Sequence, residues 1–232
     1  TIMKKLLLIL CATCAIVLTL SCSKDNTKKN VIDGHEYVDL GLPSGILWAT
    51  CNVGAETETD YGKYFAWGET TIKETYTWDN YKLGKYDSTD KTNFGMTKYN
   101  NSDNLQTLEA EDDAATVAWG SKWRTPTLDE INELLEECTW EWAAKNGVNG
   151  YNVTGKNGNS IFLPAAGHRD STPSSQESSS LGNWGEYCTS SRDESPVTIA
   201  RCLWFDSGMP DYGSMGRYNG FSVRAVAVQE VK

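Results

Sequence analysis

Hydrophobic residues fall into three patterns along this chain, and each predicts a different kind of element. The first is an almost unbroken apolar run from Leu6 to Leu20, preceded by Met3-Lys4-Lys5 and followed by Ser21-Cys22. A basic start, a short apolar stretch and small residues before a cleavage point describe a secretory signal over residues 1–21. The run is shorter than the roughly 20 apolar residues a membrane span needs. Ser23 to Asn30 then holds no apolar residue, so residues 22–30 read as a flexible tether.

The second pattern is helical. Leu128, Ile131, Leu134, Leu135 and Cys138 fall on one face at helical spacing. Thr127-x-x-Glu130 is a capping box, with Pro126 just ahead of it. Glu111 to Trp119 predicts a shorter helix, whose Glu111, Asp112 and Asp113 complement the positive end of the helix dipole.

The third pattern is short and strand-like. Glu36–Leu40, Ile46–Asn52, Lys63–Trp67 and Thr139–Trp142 predict strands, and Gly41-Leu42-Pro43-Ser44-Gly45 is a turn. Tyr151–Thr154 and Ser160–Pro164 form a hairpin around a Gly/Asn turn. Glu186–Ser190, Thr198–Asp206 and Tyr218–Val228 are the closing strands. Gly68 to about Leu108 is polar and aromatic without period, a long and partly ordered insertion. A serine-rich loop runs from Ser171 to Ser180. The chain from residue 31 to 232 suits one domain with a sizeable core.

Composition changes this picture in two places. The formal charge is −10, and residues 1–30 hold five lysines and one aspartate, so the remainder carries −14. A surface that negative repels phosphate backbones and argues against nucleic acid as a partner. Of seven cysteines, Cys51, Cys138, Cys188 and Cys202 lie beyond the tether. Disulfides persist in an export compartment, but the pairing stays open. A Cys188–Cys202 bond would close a loop of about 13 residues, worth about 3 kcal/mol by loop-closure entropy. Buried free thiols are the alternative for Cys51 and Cys138. No CxxC spacing is present beyond the tether, which argues against a structural zinc site.

Leu18-Thr19-Leu20-Ser21-Cys22 resembles a bacterial lipobox, which implies acylation of Cys22. The alternative is an ordinary signal peptide with an incidental cysteine. Val38 to Ala55, Tyr64-Phe65-Ala66-Trp67-Gly68-Glu69-Thr70, Asn157 to Gly167 and Gly220-Phe221-Ser222-Val223-Arg224 resemble the Fibrobacter succinogenes major paralogous domain family. Trp123-Arg124-Thr125-Pro126-Thr127 with its helix is similar to a segment of formylglycine-generating enzymes. The wider superfamily includes the variable proteins of diversity-generating retroelements. These resemblances imply an α+β, C-type-lectin-like fold: small antiparallel sheets, two helices and long irregular loops, with the last strand returning near the first. They also imply a lipoprotein anchored in the outer membrane and displayed on the surface of a Bacteroides-like bacterium.

The candidate chemistry is recognition. Trp184 to Asn219 is dense in residues that binding surfaces use: the aromatics Trp184, Tyr187, Trp204, Tyr212 and Tyr218, and Met209 and Met215. Among them stand the charged and polar Arg192, Asp193, Glu194, Arg201, Asp206, Asp211, Arg217 and Asn219. The expected partner is a glycan or a protein on a cell or phage surface, bound without a cofactor; the alternative is that these aromatics cover the core. A second reading is an enzyme on the formylglycine-generating scaffold, using Cys188 and Cys202, and a third is a component of a pilus-tip assembly. The motif that surrounds the catalytic cysteines of that enzyme family is absent. Calcium has no motif: Trp78-Asp79-Asn80 is in the wrong order for a sugar-binding lectin, and Asp87, Asp90 and Asn93 lack EF-hand spacing. His168, Asp170 and Ser171 are too close in sequence to make a persuasive catalytic relay.

Overall fold

The computed structural model describes residues 30–173 and 180–228. The expected secretory signal, Cys22, residues 23–29 of the expected tether and residues 174–179 of the serine-rich loop lie outside them. The described chain is α+β and mostly antiparallel: thirteen short strands in three sheets, with two helices. No helix among the described residues is long and apolar enough to cross a membrane.

The first sheet holds β1 (Val31–Ile32), β2 (His35–Asp39), β3 (Ile46–Ala49), β13 (Val226–Val228) and β5 (Trp123–Arg124), in that spatial order. The closing segment thus returns between the start of the domain and the residues that lead into the second helix. All four residues of β3 are buried because both faces of the sheet are covered. Ile46 and Trp48 enter one core with Val226, while Leu47 and Ala49 enter a second core with Ala227. Strand alternation therefore divides the interior in two.

The second sheet runs β11 (Pro210–Gly216), β10 (Ile199–Phe205), β9 (Gly185–Arg192), β12 (Gly220–Ser222) and β4 (Tyr64–Ala66). It separates the same two cores: Tyr187, Leu203 and Phe205 face the first, and Cys188 and Ala200 the second. A bulge between Ala200 and Cys202 interrupts the β9–β10 ladder. A third sheet, β6 (Thr139–Lys145), β7 (Val148–Thr154) and β8 (Ser160–Pro164), contains the expected hairpin.

Helix α2 (Leu128–Glu137) starts where the capping box predicts. Thr127 Oγ1 accepts from Glu130 N at 3.3 Å, and Glu130 Oε2 accepts from Thr127 N at 2.8 Å. Ile131 and Leu134 are its buried residues. Helix α1 (Ala114–Trp119) is shorter than expected and begins after the acidic run. Of the three acids only Asp113 caps it, accepting from Ala115 N and Thr116 N. Glu111 and Asp112 instead hold Lys98, whose Nζ lies 3.1 and 2.6 Å from their carboxylates.

Three expectations are corrected. Tyr218–Val228 is not one strand: it breaks at Val223-Arg224-Ala225, leaving β12 in one sheet and β13 in the other. Residues 210–216, expected as part of an irregular contact loop, form strand β11, paired along its whole length with β10. The insertion from Gly68 to Leu108 is irregular but packed, with Tyr76, Tyr81, Met96 and Tyr99 buried and one 3-10 turn at Trp78–Asn80.

Candidate functional site

Side chains directly opposite one another in an antiparallel ladder leave the same face. Across β9, β10 and β11, Glu186, Trp204 and Asp211 are aligned, and next to them Cys188, Cys202 and Gly213. Trp184, just before β9, stacks on Trp204 with ring centroids 5.8 Å apart and planes 29° apart. Gly213 makes room for that arrangement, because a Cβ there would sit 2.7 Å from Trp204 Cδ1. His168 stands beside the pair, with Nδ1 2.5 Å from Glu186 Oε2, and the Glu186 side chain is only 6% exposed. That carboxylate raises the imidazole above its ordinary value against the opposing pull of burial.

The free face of Trp184, which is 45% exposed, borders a cleft of about 460 Å³. Trp142, Asn149, Asn183, Asp206 and Ser207 line the rest, with Gly182 at its edge. Asn149 Nδ2 donates to Gly182 O at 2.9 Å, tying the third sheet to the segment that carries Trp184. Asp206 Oδ1 accepts from Gly208 N at 2.7 Å, which shapes the turn into β11. Two indoles contribute to the lining, and amide, carboxylate and hydroxyl groups make up most of it. Such a lining stacks on a flat apolar surface and exchanges hydrogen bonds with hydroxyl or amide groups.

The structure separates the expected contact residues into three groups. Trp184, Glu194, Met209 and Tyr212 are exposed, and Arg201, Trp204, Asp206, Asp211, Met215 and Tyr218 are half-buried. Tyr187, Arg192, Asp193, Arg217 and Asn219 are buried and are corrected to structural residues. Tyr187 donates its hydroxyl to Pro164 O at 2.7 Å, and Arg192 Nε donates to Gln106 Oε1 at 3.0 Å. Asp193 Oδ2 accepts from Ser214 Oγ at 2.6 Å and lies 3.1 Å from Arg201 Nε. Arg217 stacks over Trp67 at 4.4 Å and donates to Lys98 O and Tyr99 O. Asn219 N closes a turn onto Gly216 O at 3.0 Å. Tyr212 is opposite Leu203, not Trp204, so the two rings leave opposite faces of the ribbon and make no common surface.

Other expected chemistry also resolves into structure. Cys51 and Cys138 lie apart as free thiols, and Cys188 and Cys202 lie side by side across β9–β10 as an unjoined pair. Burial pushes Cys202 up to about 12 and Cys188 well above the usual thiol value. Asp90 accepts from the backbone N–H groups of Thr92, Asn93 and Gly95, and Asp87 from Thr89, so these carboxylates organise their own loop. Glu109, Glu111 and Asp112 converge, but Lys98 Nζ fills the space among them. Asp170 turns to Thr172 N, and His168 takes Glu186 as its partner, not Asp170. His35 stacks on Trp119 at 4.0 Å.

Sequence reasoning missed Trp142, Asn149, Asn183 and Ser207. A signal existed for two of them: Asn183 precedes one predicted closing strand and Ser207 follows the next, so an antiparallel pairing puts both at one end of the sheet. Trp142 and Asn149 belong to the third sheet, whose placement against that end is a tertiary property. No family model matches the chain, and no curated protein or solved structure matches it.

Proposed function

We propose that this protein is a non-enzymatic, lipid-anchored receptor that binds a glycan in the cleft bordered by Trp142 and Trp184. The observation that carries the reading is Trp184, stacked on Trp204, at a cleft also lined by Trp142, Asn149, Asn183, Asp206 and Ser207. Indole faces cover the C–H faces of a sugar ring, while amide, carboxylate and hydroxyl groups satisfy its hydroxyls. The volume falls within the roughly 300–1,000 Å³ of small-ligand sites. An anionic partner such as nucleic acid fits poorly beside Asp206 on a chain of net charge −10. The burial of Cys188 and Cys202, at 4% and 2% exposure, weighs against a cysteine oxidase on the same scaffold.

The anchor is Cys22, in the outer membrane and facing outward; nothing in the cleft calls for calcium. A C-type-lectin-like scaffold is supported by the pairing of β13 with β3, which brings the two ends of the domain together beneath loops of irregular structure. The test is a glycan array probed with the full chain in detergent, wild type beside Trp184→Ala. Binding that falls tenfold or more in the variant supports the site. Equal binding by both, or no glycan bound by either, overturns the reading.

A further inference from the structure

Cys188 and Cys202 are Cα partners across the β9–β10 ladder. Directly opposed residues in an antiparallel ladder stand roughly 4.5–5.5 Å apart at Cα. That separation lies within the roughly 4.4–6.8 Å that a disulfide spans. Both side chains leave the same face of the sheet, and both are buried, at 4% and 2% exposure. No other described cysteine is placed this way: Cys51 follows β3 with its Sγ toward Ala55 O, and Cys138 ends α2 against the first core. Of the pairings open to the sequence, this is the one that joins Cα partners in a ladder; in the unjoined state Cys188 Sγ faces Thr189 O at 3.3 Å.

We propose that Cys188 and Cys202 are joined by a cross-strand disulfide in the exported protein, made while the second sheet assembles and before it is buried. Exchange needs an attacking thiolate to reach the partner's disulfide, and both side chains are closed off in the folded protein, so the bond forms before the core has closed. In the assembling chain one thiolate attacks the disulfide of a thiol–disulfide exchange protein, giving a mixed disulfide. The second cysteine then displaces the exchange protein, whose two sulfurs leave as a dithiol. Two electrons and two protons pass from the cysteines to that partner.

The bond sits beside the bulge between Ala200 and Cys202. A one-residue slip of this ladder would turn Trp204 and Glu186 to the opposite face. A covalent tie at Cys188–Cys202 fixes the register that stacks Trp184 on Trp204.

The test is chemical mapping of the wild-type full chain, exported to an oxidising compartment, acid-quenched, denatured and alkylated with N-ethylmaleimide without reductant. Tryptic peptide 170–192 should be found joined to peptide 202–217 and be released by reductant, while Cys51 and Cys138 carry maleimide. Cys188 and Cys202 both alkylated, or either joined to a different cysteine, overturns the bond. Timing is read separately: reductant should open the bond at least tenfold more slowly in native protein than in urea. Equal rates would overturn formation before burial.

Discussion

Arg224 Nε donates to Asn52 Oδ1 at 2.9 Å, joining residues 172 positions apart in the chain. The rest of the guanidinium is spent on main-chain carbonyls: those of Ala49 and Thr50 at 3.1 and 3.0 Å, and that of Phe162 at 2.9 Å. Arg224 is 1% exposed, and burial holds it below the usual guanidinium value. One side chain thus fastens the end of β3, the middle of β8 and the break between β12 and β13. Arg224→Met should leave these acceptors unpaired at about 1–3 kcal/mol each and cost at least about 3 kcal/mol in total. Urea unfolding reads this directly, and a loss under about 1 kcal/mol would contradict the fastening role.

Asp113 and Glu111 make a sharper comparison. Asp113 caps α1 and also accepts from Thr125 N and Thr125 Oγ1, whereas Glu111 is exposed beside Lys98. Asp113→Ala is expected to cost about 2 kcal/mol or more, the upper end for a helix cap. Glu111→Ala should stay within about 0.5 kcal/mol. Thermal denaturation of both variants checks the ranking.

His168 gives the stability a pH dependence of known sign. Glu186 raises the imidazole, burial opposes the rise, and Asp170 adds to it. A folded value above the unfolded one of about 6.5 makes the contribution complete below that pH. It is lost as pH rises through the folded value. The difference in unfolding free energy between wild type and His168→Gln should therefore narrow from pH 5.5 to 9, and a gap that widens would reverse the assignment.

Faces of the β10–β11 ribbon can be told apart by mutation. Trp204 and Tyr212 leave opposite sides, and of the two only Trp204 stacks on Trp184, which lines the cleft. Tyr212→Ala should therefore keep glycan affinity within about twofold while Trp184→Ala loses about tenfold or more, equivalent to about 1.4 kcal/mol. Both rings are nearly half exposed, so neither substitution should unfold the domain. Titration calorimetry with an array-selected glycan separates the two.

Much of this was legible where the signal is local. The Thr127–Glu130 box predicts the start of α2 because its two hydrogen bonds depend only on a three-residue spacing. The return of the closing segment was also legible, from Gly220 to Arg224. Strand β11 was not, because Pro-Asp-Tyr-Gly-Ser-Met-Gly has no apolar alternation and is held by pairing with β10. Arg217 resembled a surface residue because arginine is seldom fully buried; only the fold supplies its carbonyls and the Trp67 ring. The cleft was half legible: Trp184 and Asp206 come from the closing strands, whereas Trp142 and Asn149 are brought in by the third sheet.

Strand β13 lies between β3 and β5, so two segments made far earlier wait for it as a shared neighbour. Until residues 226–228 have left the ribosome, the middle of that sheet is vacant and Leu47 and Trp48 have no cover on one side. Pairings this distant in sequence close slowly. The nascent chain accordingly stays open at this sheet until its last strand is available to pair.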